Sequence, residues 1–351
     1  MAFNKAIKLS LREKLDFFPA LVSIWITAVC ALATGLWRSS NQPKTLFLHI
    51  GYAVFRKMTA RLYVTPPSNK IYEQYIKKTK RLSQTIELGK GSFGHWIGDA
   101  NANNVLIWYH GGGFVLSANM GYFKYFANLV DYAAQHNQSL AIFSLTYTLA
   151  PQATYPTQLR AAVNCLRYIL DNTALQPSRI FLGGDSAGGN LVGGVLSHLA
   201  HPHPHITPVK LAGNLAGAVM IAPWTLLDTE FPDREIDPSG DLITPAIAGP
   251  WARAYLGTAT RDFYTDLSTA EPGWYSSFPV ETVLICAGGN EILLPIIQDF
   301  AAKFKAGFPS SELFVGRREG HVAPIYNLYI GDTTETEQGK RVKSWLLDLL
   351  S

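Results

Sequence analysis

The chain has 351 residues, 48% hydrophobic and 16% charged, too apolar to be disordered and too long for a disulfide-stapled mini-protein. Its formal net charge is only +4 over the whole chain, so the broad electrostatic footprint of a nucleic-acid binder is missing. Three cysteines without a CxxC or Cys/His cluster exclude a disulfide framework and a structural zinc site, and neither a metal nor another cofactor is expected.

The first element is apolar. From Phe17 to Trp37 there is no charged residue, and a run of about 20 residues is long enough to cross a bilayer core of roughly 30 Å as a helix. Lys5, Lys8, Arg12 and Lys14 lie in the tail of residues 1–16, while Arg38 and Lys44 follow closely, with Arg56 and Lys57 further on. This bias predicts a cytoplasmic N-terminus and a translocated body, the layout of a single-pass signal anchor with its body in the lumen of the endoplasmic reticulum. Ala31 and Ala33 also form an A-x-A site before Thr34, so a cleaved signal peptide and a secreted protein is the alternative, with a buried N-terminal helix as a third. The sequon Asn137-Gln138-Ser139 is a candidate glycosylation site compatible with a lumenal body.

A helical, basic stretch covers residues 45 to 81. Beyond it, apolar runs alternate with helical patterns at βαβ spacing. The predicted strands are Val105–Tyr109, Leu140–Tyr147, Arg179–Gly183, Gly217–Ala222, Thr282–Ala287 and Glu312–Gly316. Predicted helices include Thr157–Asn172, with Leu159, Val163, Leu166 and Leu170 at helical spacing, then Ala187–Leu199 and a closing helix from about Thr336 to Leu350. Strands of this kind, each followed by a helix, belong to a mostly parallel sheet covered on both faces. Residues 226–278, rich in Pro, Gly and Trp, interrupt the alternation and predict a cap insertion in a catalytic domain of residues 100–351. Residues 45–95 are expected as an N-terminal cap segment.

The chemistry gathers in four places. RIFLGGDSAGGN runs from a strand through Gly184-Asp185-Ser186-Ala187-Gly188 into a helix, the setting of a G-x-S-x-G nucleophile elbow, where small neighbours let the serine stand on a tight turn. Upstream, the strand VLIWY ends in His110-Gly111-Gly112-Gly113-Phe114. A glycine run there can bare amides for an oxyanion, and Gly112, Gly113 and Ala187 are the candidate donors. No GK[ST] or G-x-G-x-x-G follows, so a phosphate loop is excluded. His110, Gly111 and Asp185 are supporting candidates, His110 as a brace rather than a base.

Five histidines follow Ser186 in the chain. His198, His201, His203 and His205 sit on or just after the helix behind the serine, whereas His321 lies in a turn after the last predicted strand and is the candidate base. Glu291 is the only carboxylate in the turn after TVLICAGG and is the candidate acid, which would set the tautomer and orientation of the imidazole. Asp299, eight residues on, is the alternative acid.

Together these residues resemble the hormone-sensitive-lipase group of α/β-hydrolases, through HGGGF at 110–114, GDSAGGN at 184–190 and Tyr147-Thr148-Leu149-Ala150-Pro151. The resemblance covers roughly residues 100 to 350. TYPTQL at 154–159, Ala222-Pro223-Trp224 and the N-terminal anchor are most similar to fungal steryl acetyl hydrolases, and the anchored layout is also similar to arylacetamide deacetylase. The chain departs from the group's pattern at Gln152, where an acidic residue is usual, and at Pro295, where a second aspartate is common.

The resemblance implies an α/β-hydrolase fold with a mostly parallel central sheet, helices on both faces and a helical cap. It implies a Ser186–His321–Glu291 triad with an oxyanion hole of Gly112, Gly113 and Ala187. The expected activity is that of a serine carboxylesterase acting through an acyl-enzyme on short-chain, acetyl-type esters of a bulky hydrophobic alcohol. A sterol or a secondary metabolite would be such an alcohol. Acyl transfer by the same triad and a non-catalytic ligand-binding role are the alternatives. Expected partners are a small hydrophobic ester and, through the N-terminal helix, a membrane, with no nucleic acid. The aromatics Phe231, Trp251, Tyr255, Phe263, Tyr264, Trp274 and Tyr275 either line a pocket or form the core of the cap.

Overall fold

A computed structural model of the chain describes residues 11–61, 68–79, 83–227 and 237–350. Lys5, Lys8 and Phe231 lie outside them. Helices α1 (Leu11–Thr34), α2 (Leu46–Arg61) and α3 (Ser68–Thr79) precede an antiparallel hairpin, β1 (Thr85–Gly89) and β2 (Ser92–Ile97). Then come β3 (Asn104–Tyr109), α4 (Met120–Gln135), β4 (Leu140–Thr146), α5 (Thr157–Asn172), β5 (Ile180–Asp185), α6 (Ala187–Ala200) and β6 (Gly217–Ile221). The insertion carries α7 (Pro245–Leu256), and β7 (Val283–Gly288), α8 (Leu294–Gly307), β8 (Ser311–Gly316), α9 (Ala323–Ile330) and α10 (Glu337–Leu349) complete the order.

The eight strands form one sheet in the order β1-β2-β4-β3-β5-β6-β7-β8, antiparallel at β1–β2 and β2–β4 and parallel from β4 onward. All six predicted strands are present, with ends shifted by one or two residues. The hairpin is an addition: the last part of the 45–95 segment belongs to the sheet, continuing it past β4. Every residue of β3, β5, β6 and β7 is buried, because helices lie on both faces of the parallel strands. On one face α5 and α6 pack together with α8 nearby, and on the other α4 meets α9 and α10. The switch in strand order between β3 and β5 brings the carboxyl ends of both strands side by side, where this architecture leaves room for a ligand.

α1 carries no charged residue from Phe17 onward, and Leu15–Trp37, which runs just past its end, has a mean hydropathy of 2.0 and is largely unburied. Trp25 is 71% exposed and Trp37 82%, while Ala20 and Ala31, eleven residues apart and so on one helical face, are buried. α1 packs on α2, but the greater part of its apolar surface has no protein against it. The segment that follows is fastened to the body. Arg318 donates to the carbonyls of Ser39 and Gln42 at 3.1 and 3.2 Å, and Lys44 reaches Glu337 at 3.3 Å. Arg56 points into the body and hydrogen-bonds the carbonyl of Asp241.

Candidate active site

Ser186 stands between β5 and α6 at φ 52°, ψ −118°, a sparsely populated conformation for a residue with a side chain, costing about 1–3 kcal/mol. Its surroundings hold it there. The Ser186 N–H donates to Ile221 on β6 at 2.9 Å, and its carbonyl accepts from Asn190 and Trp224, both at 3.0 Å. A Cβ on Gly188 would lie 1.9 Å from the carbonyl oxygen of Tyr109, so glycine is required for the elbow to sit against the end of β3. The Asn190 side chain ties the elbow to the cap by donating to the carbonyls of Trp224 and Thr265 at 2.8 and 2.6 Å.

The loop after β3 turns through Gly112 and Gly113 at φ 96° and 58°, which glycine adopts without strain. At Gly113 a Cβ would also strike the Trp251 ring at 2.0 Å. Among the described residues no group accepts from the backbone N–H of Gly112, Gly113 or Ala187, and Ala187 opens α6, where the helix dipole favours negative charge. Asp185, fully buried, accepts from Gly111 N–H and the Trp108 indole through Oδ1 at 3.2 and 3.1 Å, and from the Tyr122 hydroxyl through Oδ2 at 2.6 Å. It thereby locks the glycine loop to the elbow, and burial pushes its carboxyl up to about 6. His110 stacks on Tyr147 with centroids 4.3 Å apart, and its Nδ1 bonds the Gly111 carbonyl at 2.8 Å. Burial pulls its pKa down to about 4, which suits a neutral brace.

His321 follows β8 and is buried, with Nδ1 3.3 Å from Glu291 Oε1. The other Glu291 oxygen accepts the N–H of Gly288 at 2.5 Å. Burial disfavours the imidazolium, but the bond to Glu291 and the nearby charges of Glu291, Asp241 and Asp185 together raise the pKa of His321 above its ordinary value. Burial raises that of Glu291 as well, opposed by the bond to His321. Asp299 is elsewhere: it lies on α8, is more than half exposed, and pairs with Lys303 at 2.8 Å. The four histidines behind the serine are engaged at the far end of α6, where His198 accepts from the backbone of His203 and His201 meets the Trp274 carbonyl.

Ser186, Gly113 and His321 open into one half-open pocket walled by Trp224, Ile243, Ile247, Trp251 and Leu293. Of the insertion's aromatics, Trp251 alone among those described lines this cavity. Tyr255 stacks on Phe114 at 3.6 Å and Tyr275 packs on Phe304, so these two buried rings seat the insertion on the body, while Tyr264 and the exposed Phe263 meet Trp274 away from the cavity. A residue that the sequence did not single out is Asp241, fully buried beside His321 and Glu291. Its only signal was an acid in a Pro-Ser-Gly-Asp-Leu run ahead of a helix, and Asp233, Glu235 and Asp237 just before it made it one acid among several.

Comparison with known proteins places this geometry. A family model described as the alpha/beta hydrolase fold matches residues 106–324, and the chain belongs to that family. With its HGGGF and GDSAGGN motifs it falls in the hormone-sensitive-lipase group. An AB hydrolase superfamily protein of Schizosaccharomyces pombe is 29% identical over 201 residues, 53% of this chain and 53% of that protein. Steryl acetyl hydrolase 1 of Saccharomyces cerevisiae is 27% identical over 126 residues, 36% of this chain and 28% of that protein. The chain thus spans about half, or less, of the length of these relatives. The crystal structure of an esterase from the bacterial hormone-sensitive lipase family superposes with a TM-score of 0.68 at 21% identity, covering 88% of this chain and 99% of that one.

Proposed function

We propose that the chain is a serine carboxylesterase that removes short acyl groups, acetyl foremost, from a bulky hydrophobic alcohol such as a sterol or a secondary metabolite. The observation that carries this reading is the convergence of Ser186 and the buried Glu291–His321 pair on one apolar cavity beside unengaged loop amides. Ser186 Oγ attacks the ester carbonyl as His321 takes its proton, and the amides of Gly112, Gly113 and Ala187 receive the oxyanion. Glu291 holds the imidazole and stabilises its charged form. His321 then protonates the leaving alcohol, and a water deprotonated by the same imidazole releases the acid and frees the serine. The small, tryptophan-walled cavity favours a short acyl group, and the name of the yeast relative supports a sterol-sized alcohol.

The test is a series of p-nitrophenyl esters from acetyl to octanoyl, followed by sterol acetates, with product analysis in the presence and absence of an acceptor alcohol. Acetate and propionate should turn over fastest, with a loss of about tenfold or more per methylene once the acyl group overfills the cavity. Acyl transfer to the acceptor in preference to water would replace hydrolysis with the acyltransferase reading.

We further propose that α1 anchors the protein in a membrane as a single pass, with the body from Thr85 onward as a lumenal catalytic domain and α2, α3 and residues 226–278 as its covering segments. Support comes from the unburied apolar surface of α1 and the basic residues ahead of its uncharged run from Phe17. Asn137 is exposed at the end of α4, as a glycan acceptor would need to be. Sodium carbonate should leave the full-length protein in the membrane pellet and release a chain beginning at Arg38; release of both would remove the anchor.

A further inference from the structure

Asp241 sits in the insertion, just after the Pro238–Gly240 turn, and has no exposed surface. Its Oδ1 accepts the backbone N–H of His321 and of Leu242, both at 2.7 Å, and its Oδ2 accepts the N–H of Ile292 at 2.8 Å. Ile292 follows Glu291 directly. One carboxylate therefore grips the two backbone turns that carry the candidate acid and base, turns that lie 51 and 80 residues away from it in the chain. From the other side, α2 secures the same residue through the bond from Arg56 to its carbonyl.

The chemistry of this junction calls for a carboxylate. Three N–H donors converge on two oxygens, and an ionised aspartate offers acceptors only. An asparagine of the same shape would set its amide N–H₂ against at least one of those donors. Burial raises the Asp241 pKa, while His321 and the three N–H groups act in the opposite direction. The charged and titratable groups facing it are His321, Glu291, Arg56 and Tyr52. Those facing His321 are Glu291, Asp241 and Asp185.

We propose that Asp241 is a positioning residue of the triad, holding the Glu291 and His321 turns together so that the imidazole stays on its carboxylate and in the cavity it shares with Ser186. The margin is small. At 3.3 Å the Nδ1–Oε1 contact is already long for a charge-assisted bond, and a further shift of a few tenths of an ångström would end it. Because it acts through the triad, the inference rests on the esterase reading above.

The test uses the full-length chain and p-nitrophenyl acetate. Asp241→Asn should lower kcat about 100-fold, the scale of a 1 Å misplacement, while KM stays within about twofold. Its acid limb of kcat/KM should move to lower pH, since His321 loses a neighbouring negative charge that favours the protonated imidazole. Asp241→Glu keeps the charge with altered geometry, so kcat should fall while the acid limb stays near its parental position. In the unsubstituted protein, hydrogen exchange should find the His321 and Ile292 amides among the slowest outside the sheet. Parental kcat and acid limb in Asp241→Asn, or fast exchange at either amide, overturns the proposal. Should Asp241→Asn not fold, the exchange rates of the unsubstituted protein decide between the two outcomes. Turnover by Ser186→Ala would instead remove the esterase reading itself, whereas an inactive Ser186→Ala beside a fully active Asp241→Asn removes only the role of Asp241.

Discussion

Replacing Ser186 with alanine should lower turnover of p-nitrophenyl acetate by on the order of 10⁶-fold, the loss seen when a triad nucleophile is removed. The substitution deletes a single oxygen and leaves the elbow its hydrogen bonds, because all of those run through the backbone of Ser186. A hydrophobic ester should still bind, since the cavity walls around Trp224, Ile247 and Trp251 are untouched. Residual hydrolysis of about 10³–10⁴-fold over water, supplied by the oxyanion donors and binding alone, is the expected floor. Covalent labelling by a fluorophosphonate should disappear along with turnover. Persistent labelling of Ser186→Ala would falsify the assignment of the nucleophile, because no other serine or threonine is expected to react.

Glu291→Gln should lower kcat by roughly 10⁴-fold, as when a triad acid becomes an amide. The amide can present N–H₂ where the carboxylate received the Nδ1 proton, which favours the wrong tautomer of His321. Loss of the Glu291 charge also lowers the His321 pKa, so the acid limb of whatever activity remains should shift to lower pH. Asp299→Asn is the paired control. Its carboxylate is exposed and joined to Lys303 within the same helix, a pair contributing about 0.3–0.5 kcal/mol. It should therefore retain nearly full kcat. The reverse ranking would transfer the role of acid to Asp299.

The parallel strands were legible because burial on both faces makes each a nearly continuous apolar run, as in VLIWY and RIFLGG. The elbow and the glycine loop were legible because their backbone geometry admits few residue types. The β1–β2 hairpin escaped notice. β1 is half exposed and short, so its alternation is faint, although Gly89-Lys90-Gly91 is a turn signal between two strands, and all three residues take positive φ. The division of the insertion's aromatics was also hidden, since a buried ring beside a cavity and a buried ring beneath a cap have the same composition. Asp241 was hidden for a different reason. Its partners are backbone groups in two distant turns, and no spacing in the sequence relates one acid to N–H groups that only the finished fold brings together.

The grip of Arg318 on Ser39 and Gln42, with Lys44 on Glu337, changes what processing of the N-terminus would mean. Every one of those contacts lies downstream of the Ala31-x-Ala33 site. Cutting before Thr34 would discard the greasy helix and keep the whole clasp, three residues from His321. An anchored form and a released form of this chain would then differ in address and share an identical catalytic turn, so the choice between them could be made by the cell without any adjustment of the chemistry.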